Sequence, residues 1–308
     1  MHGRAQRILA GLPFAVLLSL SAAPLGAQTI DDGLMMPGKQ LCAGFMFMRD
    51  SWDRYWEGTL ERSNGNIGTV TTQQVSWVGA YGVTDRLNVI AMLPYVWTEA
   101  SQGVLHGMNG LQDASLALKY HFLTSSVGHG SLRAFAVASF ATPVSSYTPD
   151  FYPLSIGSGS RRVSGRLTLD YRARQGFYLD ATAAYTWRGN VTLDRPAYYT
   201  DGHLHLSDEV AMPDVFDYTL RAGYLGGSLQ VPISFSQQFT LGGGDIRRQD
   251  APFVSNRMDA SRLDALVMYY LPKPRNLALR LGATYTLEGR NVGQSTTLVA
   301  GLLYRVQF

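Results

Sequence analysis

Cysteine is almost missing from this chain: Cys42 stands alone. One thiol cannot close an internal disulfide, so a cross-linked secreted mini-domain is excluded, as is a cysteine-based zinc site. Histidine is scarce, with six in all, and no glycine-rich phosphate loop is present. Long apolar runs are also lacking beyond the first twenty residues. Although 46% of the residues are hydrophobic, the mean hydropathy is only −0.04, which excludes a bundle of membrane-spanning helices. Nor is there a strong charge of one sign. A net charge of +3 gives no basic stripe for nucleic acid, and no such partner is expected.

What the chain has instead is alternation. About twelve segments carry apolar residues at every second position, the period of a strand with one apolar face. They run near 39–49, 71–83, 87–98, 113–122, 132–142, 162–173, 177–188, 216–225, 229–239, 262–271, 277–288 and 297–308. Phe177, Leu179, Ala181, Ala183, Tyr185 and Trp187 show the pattern at its clearest. The segment at 132–142 is ambiguous in phase, because Phe135 and Val137 oppose Ala134, Ala136, Ala138 and Phe140. Strands that are half apolar and half polar reconcile high hydrophobic content with near-zero hydropathy. The 17 Tyr, 13 Phe and 5 Trp suit aromatic girdles at two membrane interfaces. The reading is an all-β protein: a transmembrane, antiparallel up-and-down barrel of about twelve strands.

Both ends of the chain agree. Arg4 and Arg7, an apolar run from Ile8 to Leu20, and small residues up to Ala27 follow the order of a secretory signal. Residues 1–27 are expected to be removed, leaving one barrel domain over 28–308. The last segment ends on Phe308, which resembles the carboxyl-terminal signal read by the barrel-assembly machinery. Connections alternate short and long: 84–86, 174–176, 226–228 and 272–276 against 50–69, 99–112, 143–161, 189–215 and 240–261. Short periplasmic turns and long outer loops are the rule for such barrels, so both termini are expected on the periplasmic side of a bacterial outer membrane.

The opposite phase of the strands carries the charges. Lys119, Arg166, Asp170, Asp180, Asp217, Arg221, Asp264 and Arg280 all avoid the apolar face, where a cation costs about 2–4 kcal/mol at the membrane midplane. They are expected to line the lumen. Cations outnumber acids on the inward faces, so a modest positive bias is expected, with weak preference for anions or small aromatic acids. Arg166, Arg221 and Arg280 are the main candidates to carry it. The competing reading pairs each of them with a nearby aspartate in a neutral structural network.

Two stretches have a further likeness. Tyr81-Gly82-Val83-Thr84-Asp85-Arg86-Leu87-Asn88-Val89, with Leu93-Pro94-Tyr95 after it, is similar to a strand–turn–strand motif. The run from Gly110 through Asp113 to Tyr120 is similar to a second motif of the same family. Together they resemble the outer-membrane β-barrel family named for the MetA-pathway of phenol degradation, whose members are described as transporters. Gln112 departs from the glycine usual before that aspartate. The resemblance covers roughly residues 75–123 and implies passage of small aromatic or other hydrophobic compounds.

No enzyme is expected. His121 and His129 fall near short turns, and His106, His203 and His205 in long loops, so no Ser–His pair suggests itself. His203 and His205 beside Asp201, Asp208 and Glu209 form a weak metal pattern, and neither metal nor cofactor is expected. Two function classes remain: a passive channel for small solutes, with membrane lipid and the solute as partners, and a structural or adhesive barrel with a closed lumen and partner-binding loops.

Overall fold

The computed structural model describes residues 28–247, 252–274 and 276–308; the expected signal at 1–27 lies outside the described residues. Twelve long strands follow the alternating segments. They are β1 (Gln40–Trp52), β2 (Val70–Thr84), β3 (Leu87–Ala100), β4 (Asp113–Val127), β5 (Gly130–Pro143) and β6 (Arg162–Ala173). Then come β7 (Phe177–Arg188), β8 (Val215–Gly226), β9 (Leu229–Thr240), β10 (Asp259–Tyr270), β11 (Leu277–Arg290) and β12 (Thr296–Gln307). Each pairs antiparallel with the next, and β1 pairs with β12 from Gln40↔Gln307 to Ser51↔Thr296. The ring is closed. No described helix is long and apolar enough to cross a membrane.

Closure matters because hydrocarbon offers no partner to a free N–H or C=O. The outer wall is apolar as that setting requires: Leu93, Leu169, Leu220, Ile233, Leu281 and Leu302 are each 36–63% exposed. A closed ring with such a belt is a membrane-spanning barrel. Two prolines sit inside strands, and the ladder is interrupted at both. The β9–β10 pairing skips Val231 and Pro232, and β3 pairs with β4 only as far as Met92, two residues before Pro94. A residue without an N–H cannot complete a ladder.

Register settles the phase of β5. Ala134 lies opposite Leu169, and Phe135 opposite Thr168. Since Leu169 faces outward, Phe135 faces in, where it is fully buried. Its ring lies 4.7 Å from that of His121, and Lys119 Nζ is 5.5 Å from its centroid. The sequence pattern was ambiguous because this inward position is aromatic where most are polar.

The two ends of the barrel differ. One has short turns, two residues at Asp85–Arg86 and at Gly128–His129, and both the start of β1 and the end of β12 lie there, with Phe308 N bonding Lys39 O at 3.0 Å. At the other end, loops 144–161, 189–214 and 241–258 share an apolar core of Val191, Leu193, Tyr198, Val210, Met212, Phe253 and Val254, with Tyr152 packed against it. Side chains tie this cap to the rim. Arg290 donates to both carboxylate oxygens of Asp245 (2.7 and 2.6 Å) and holds that carboxyl below its ordinary pKa. Tyr147 donates to Asp113 Oδ1 at 2.6 Å, and burial followed by that bond pushes its phenol well above the usual range.

The exposed belt yields a direct test. Leu281, 63% exposed and near the middle of β11, should resist a charge. Leu281→Arg is expected to destabilise the barrel by about 2–4 kcal/mol, read by denaturant titration of refolding into bilayers. A change below the error of that titration would place Leu281 away from lipid.

Candidate functional site

Residues 28–39 form no barrel strand. They run through the lumen, since they touch strands from around the ring. Asn88 of β3 donates to Gln28 Oε1 at 2.6 Å. Lys119 of β4 donates to Thr29 O (2.9 Å), Asp32 O (2.5 Å) and Asp32 Oδ1 (2.9 Å). Arg133 of β5 and Arg172 of β6 both reach Gly33 O, at 2.7 and 3.1 Å. Thr182 of β7 donates to Asp31 O at 3.2 Å, and Arg221 of β8 to the same carbonyl at 2.8 Å.

The segment's own sequence shapes it for this role. Thr29 closes a tight turn: its N–H and hydroxyl both donate to Asp32 Oδ2 at 2.7 Å, and its hydroxyl also reaches Asp31 Oδ1. Short polar side chains that bond the nearby backbone favour such turns. Gly33 then passes so close to the wall that a Cβ would fall 2.4 Å from Asp170 Cγ. Leu34 and Met36 are buried beyond it. Gly38 N donates to Asp85 Oδ1 at 2.8 Å, and Lys39 N to Gly82 O at 2.7 Å, where the chain turns into β1.

Each residue expected in the lumen can now be placed. Lys119 is wholly buried and gripped by the segment. Asp170, also fully buried, accepts from Arg133 (2.7 Å from Nε) and lies 3.3 Å from Arg172 Nε. Asp180 accepts from Arg221 at 3.3 Å and faces Gly33 N at 3.4 Å. Arg166 pairs with Asp217 at 3.6 Å. Asp264 accepts from Thr284 (2.6 Å) and Ser236 (3.5 Å). Arg280 alone of the eight makes no hydrogen bond or ion pair among the described residues. It borders a cavity of about 250 Å³ between the segment and the β8–β12 wall.

This placement corrects the expected positive lumen. That expectation counted wall residues only. The segment adds Asp31 and Asp32, and turns backbone carbonyls toward Lys119, Arg133, Arg172 and Arg221. Most of the basic side chains are therefore occupied by chain atoms. A buried cation without such partners would be costly, so the segment and the wall charges require one another. Sequence reasoning missed Arg133, hidden by the unclear phase of β5, and the segment itself. The signal that could have found it is the doublet Asp31-Asp32 next to a turn-forming Gly33, just past the expected cleavage point.

The wall divides into two unlike halves. β4 to β8 carry the charges that hold the segment. On β10 to β12, β1 and β2 the inward set is mixed: Leu266, Met268, Tyr270, Ala278, Leu303, Cys42 and Val78 form one apolar cluster, with Arg262, Asp264, Arg280 and Thr284 on the same inward phase. Met46 and Val299 join Leu266 and Met268 around the cavity, which Asp31, Asp32, Asp264 and Arg280 border as well. His203 and His205 lie in the loop hairpin Tyr198–Thr200/His203–His205, both exposed; His203 bonds Asp201 O and His205 stacks on Tyr198. No group of metal-ligating side chains is found among the described residues.

Both familiar stretches now have a structural role. Gly82, Asp85 and Asn88 hold the start and end of the inner segment. A Cβ at Gly82 would lie 2.0 Å from Pro37 O, so only glycine fits. Lys119 clamps the middle. Asp113 receives Tyr147 and, at 2.8 Å, Arg162, and Gln112, the departure from the family pattern, bonds Ile156 O of the cap.

Comparison with known proteins agrees with this geometry. Residues 61–301 match the family model described as "Putative MetA-pathway of phenol degradation". Among curated proteins no match is found. Among solved structures, the COG4313 outer membrane channel from Pseudomonas putida F1 aligns with a TM-score of 0.71 at 13% identity, over 90% of this chain and 100% of that one. A deletion mutant of the TodX monoaromatic hydrocarbon channel aligns at 0.47 and 10% identity, over 89% and 91%. The translocator domain of the autotransporter NalP from Neisseria meningitidis aligns at 0.45 and 10%, over 88% and 90%. The first of these shows a shared fold.

Lys119 offers the sharpest test of how the segment is held. Removing one partner of a buried pair costs about 3–5 kcal/mol. In a Cys42→Ser background, Leu34→Cys should react slowly with a water-soluble maleimide. Adding Lys119→Met should speed that labelling at least tenfold, the equivalent of about 1.4 kcal/mol. Equal rates would mean that the lysine does not anchor the segment.

Proposed function

The chain belongs to the MetA-pathway of phenol degradation family, and from that premise and the form of its lumen we propose that it is a bacterial outer-membrane channel for passive uptake of small aromatic and other hydrophobic solutes. The observation that carries this reading is the undocked half of the lumen. The inner segment docks on one side of the wall and leaves a cavity bordered by Met46, Leu266, Met268 and Val299 together with polar side chains such as Asp264 and Arg280. Methionine is unbranched and polarisable, so it adapts to solutes of different outline. A barrel whose purpose was to present loops would have no reason to leave that space. The relative from Pseudomonas putida F1, described as an outer membrane channel, shares the fold and supports the same reading.

In this reading the short-turn end faces the periplasm and the cap faces outward. The signal at 1–27 is removed after export, and Phe308, 72% exposed at the end of β12, is recognised by the assembly machinery. Lys119, Asp170, Asp180 and Arg221 lie against the inner segment, Arg166 and Asp217 pair with each other on the wall, and together they set the width left beside it. Asp264 and Arg280 lie along the path itself. No catalytic step is part of the proposal.

Planar-bilayer recording on the folded chain tests it. Small, discrete conductance steps are expected, reduced by phenol or benzyl alcohol at millimolar concentration. Folded protein that inserts and conducts nothing, or conducts without any response to aromatic solutes, would overturn the reading.

A further inference from the structure

Near the cap, β5, β6 and β7 present Phe140, Val163 and Trp187 side by side on the lipid face, each 46–53% exposed. Beyond that row the same face turns polar. By the period of two its next residues are Thr142 and Arg161, and Gly189 N donates to Arg161 O at 2.8 Å beside them. Arg162 and Arg188, one residue back, turn inward: Arg162 pairs with Asp113 at 2.8 Å, and Arg188 Nε donates to Pro213 O at 2.5 Å. The Arg161 side chain is exposed and has no hydrogen bond or ion pair among the described residues. Aromatic residues mark the edge of the hydrocarbon in such barrels. Two residues further is about 7 Å along a strand, and less along the membrane normal once the strand tilts. The polar layer outside the hydrocarbon is about 5–7 Å deep, so Arg161 stands at headgroup depth.

The arginine borders a recess of about 680 Å³ where loops 144–161 and 189–214 meet the rim. That volume lies within the roughly 300–1,000 Å³ of ligand sites. Thr142, Ser146 and Thr192 bring hydroxyls that no described residue engages, and Asn190 adds an amide. Ser145 and Tyr147 also line it, but their hydroxyls already donate to Leu111 O and to Asp113. Pro143, Pro149 and Val191 supply its apolar part. Among the described residues that line it, none is a carboxylate. Two acids of the adjoining loops are engaged, Asp150 by Arg195 at 2.8 Å and Glu209 by Asn190 at 2.5 Å. A free guanidinium with free hydroxyls suits a phosphate carried on a sugar, because the guanidinium fork matches phosphate oxygens in pairs. The apolar row directly below suits acyl chains.

We propose that this recess holds the phosphorylated sugar headgroup of an outer-leaflet glycolipid. The phosphate sits on Arg161, sugar hydroxyls meet Thr142, Ser146 and Thr192, and the acyl chains lie along Phe140, Val163 and Trp187. The proposal rests on the reading that places the cap on the outer side of the membrane, and it is independent of what passes through the lumen. A lipid so held touches two of the loops that build the cap.

Diphosphoryl lipid A, phosphatidylglycerol and glucose 1-phosphate separate the parts of that ligand. Native mass spectrometry of the folded full chain in detergent reads the binding of each. Lipid A is expected to bind most tightly. Arg161→Gln should weaken it at least about tenfold, as loss of a charge-assisted bond warrants. Arg161→Lys should keep part of the affinity, and Arg86→Gln, at the short-turn end, should change nothing. Ser146→Trp keeps the charge and fills the recess, so it should weaken lipid A as well; it also serves if Arg161→Gln fails to fold. Lipid A binding that survives these two substitutions overturns the site. Phosphatidylglycerol held as tightly as lipid A overturns the sugar half, and glucose 1-phosphate competing at the same concentration overturns a lipid as the ligand. Orientation is read separately with Leu206→Cys in a Cys42→Ser background, since Leu206 is 84% exposed on the cap and should react with an impermeant maleimide on intact cells. No reaction, alongside Arg161-dependent binding in detergent, would defeat the outward cap and with it an outer-leaflet ligand. Reaction without Arg161-dependent binding would defeat the site and leave the orientation standing.

Discussion

A peptide group in hydrocarbon has no water to bond, and each one left unpaired costs several kcal/mol. For a chain that crosses by strands, the ladder must therefore return to its start. Here β1 meets β12 through twelve register pairs. Everything else follows from that ring. Its outside must be apolar, which sets the period-two pattern. Its inside is wider than the eight-strand type that wall side chains can fill, so something else must occupy part of it. Residues 28–39 do so, and several wall charges that look like a pore lining in isolation, Lys119, Asp180 and Arg221 among them, are the sockets for that segment.

The inside of the ring is consequently uneven. Charged side chains on β4 to β8 find carbonyls and carboxylates of the segment, while β10 to β12 and β1 turn Leu266, Met268, Met46 and Val299, with Asp264 and Arg280 among them, toward the remaining space. Neither half explains the lumen alone. A fully charged ring would hold water and ions, and a fully apolar one would have nothing to pin a polar segment. One barrel thus keeps a fixed polar segment beside a cavity that both polar and apolar side chains border.

Much of this was legible in the sequence because alternation is a local signal. β6 and β7 begin and end where the pattern does, at 162–173 and 177–188. Ends shifted where the ladder outlasts the apolar pattern, as in β4, which runs on to Val127 through polar residues. The phase of β5 was unreadable because Phe135, an inward residue, is aromatic; only pairing to β6 decides it. The eight charged residues were readable as avoiding the apolar phase of each strand. Their partners were not, because Thr29–Gly33 has no period and meets the wall at sequence separations of 87 residues and more. Gly82 and Asp85 read as ordinary turn chemistry until the segment is seen to rest on them.

The inner segment is joined to β1 at Lys39, only a few residues from Leu34 and Met36. A tethered group competes for its site at an effective concentration in the millimolar range for a short flexible link, and no dilution outside the membrane alters it. A solute arriving at the lumen thus meets an internal competitor that is always present and never depleted. Bulk concentration of the solute must exceed that local value before it could take over the sockets of the segment. At ordinary concentrations those sockets stay with the segment.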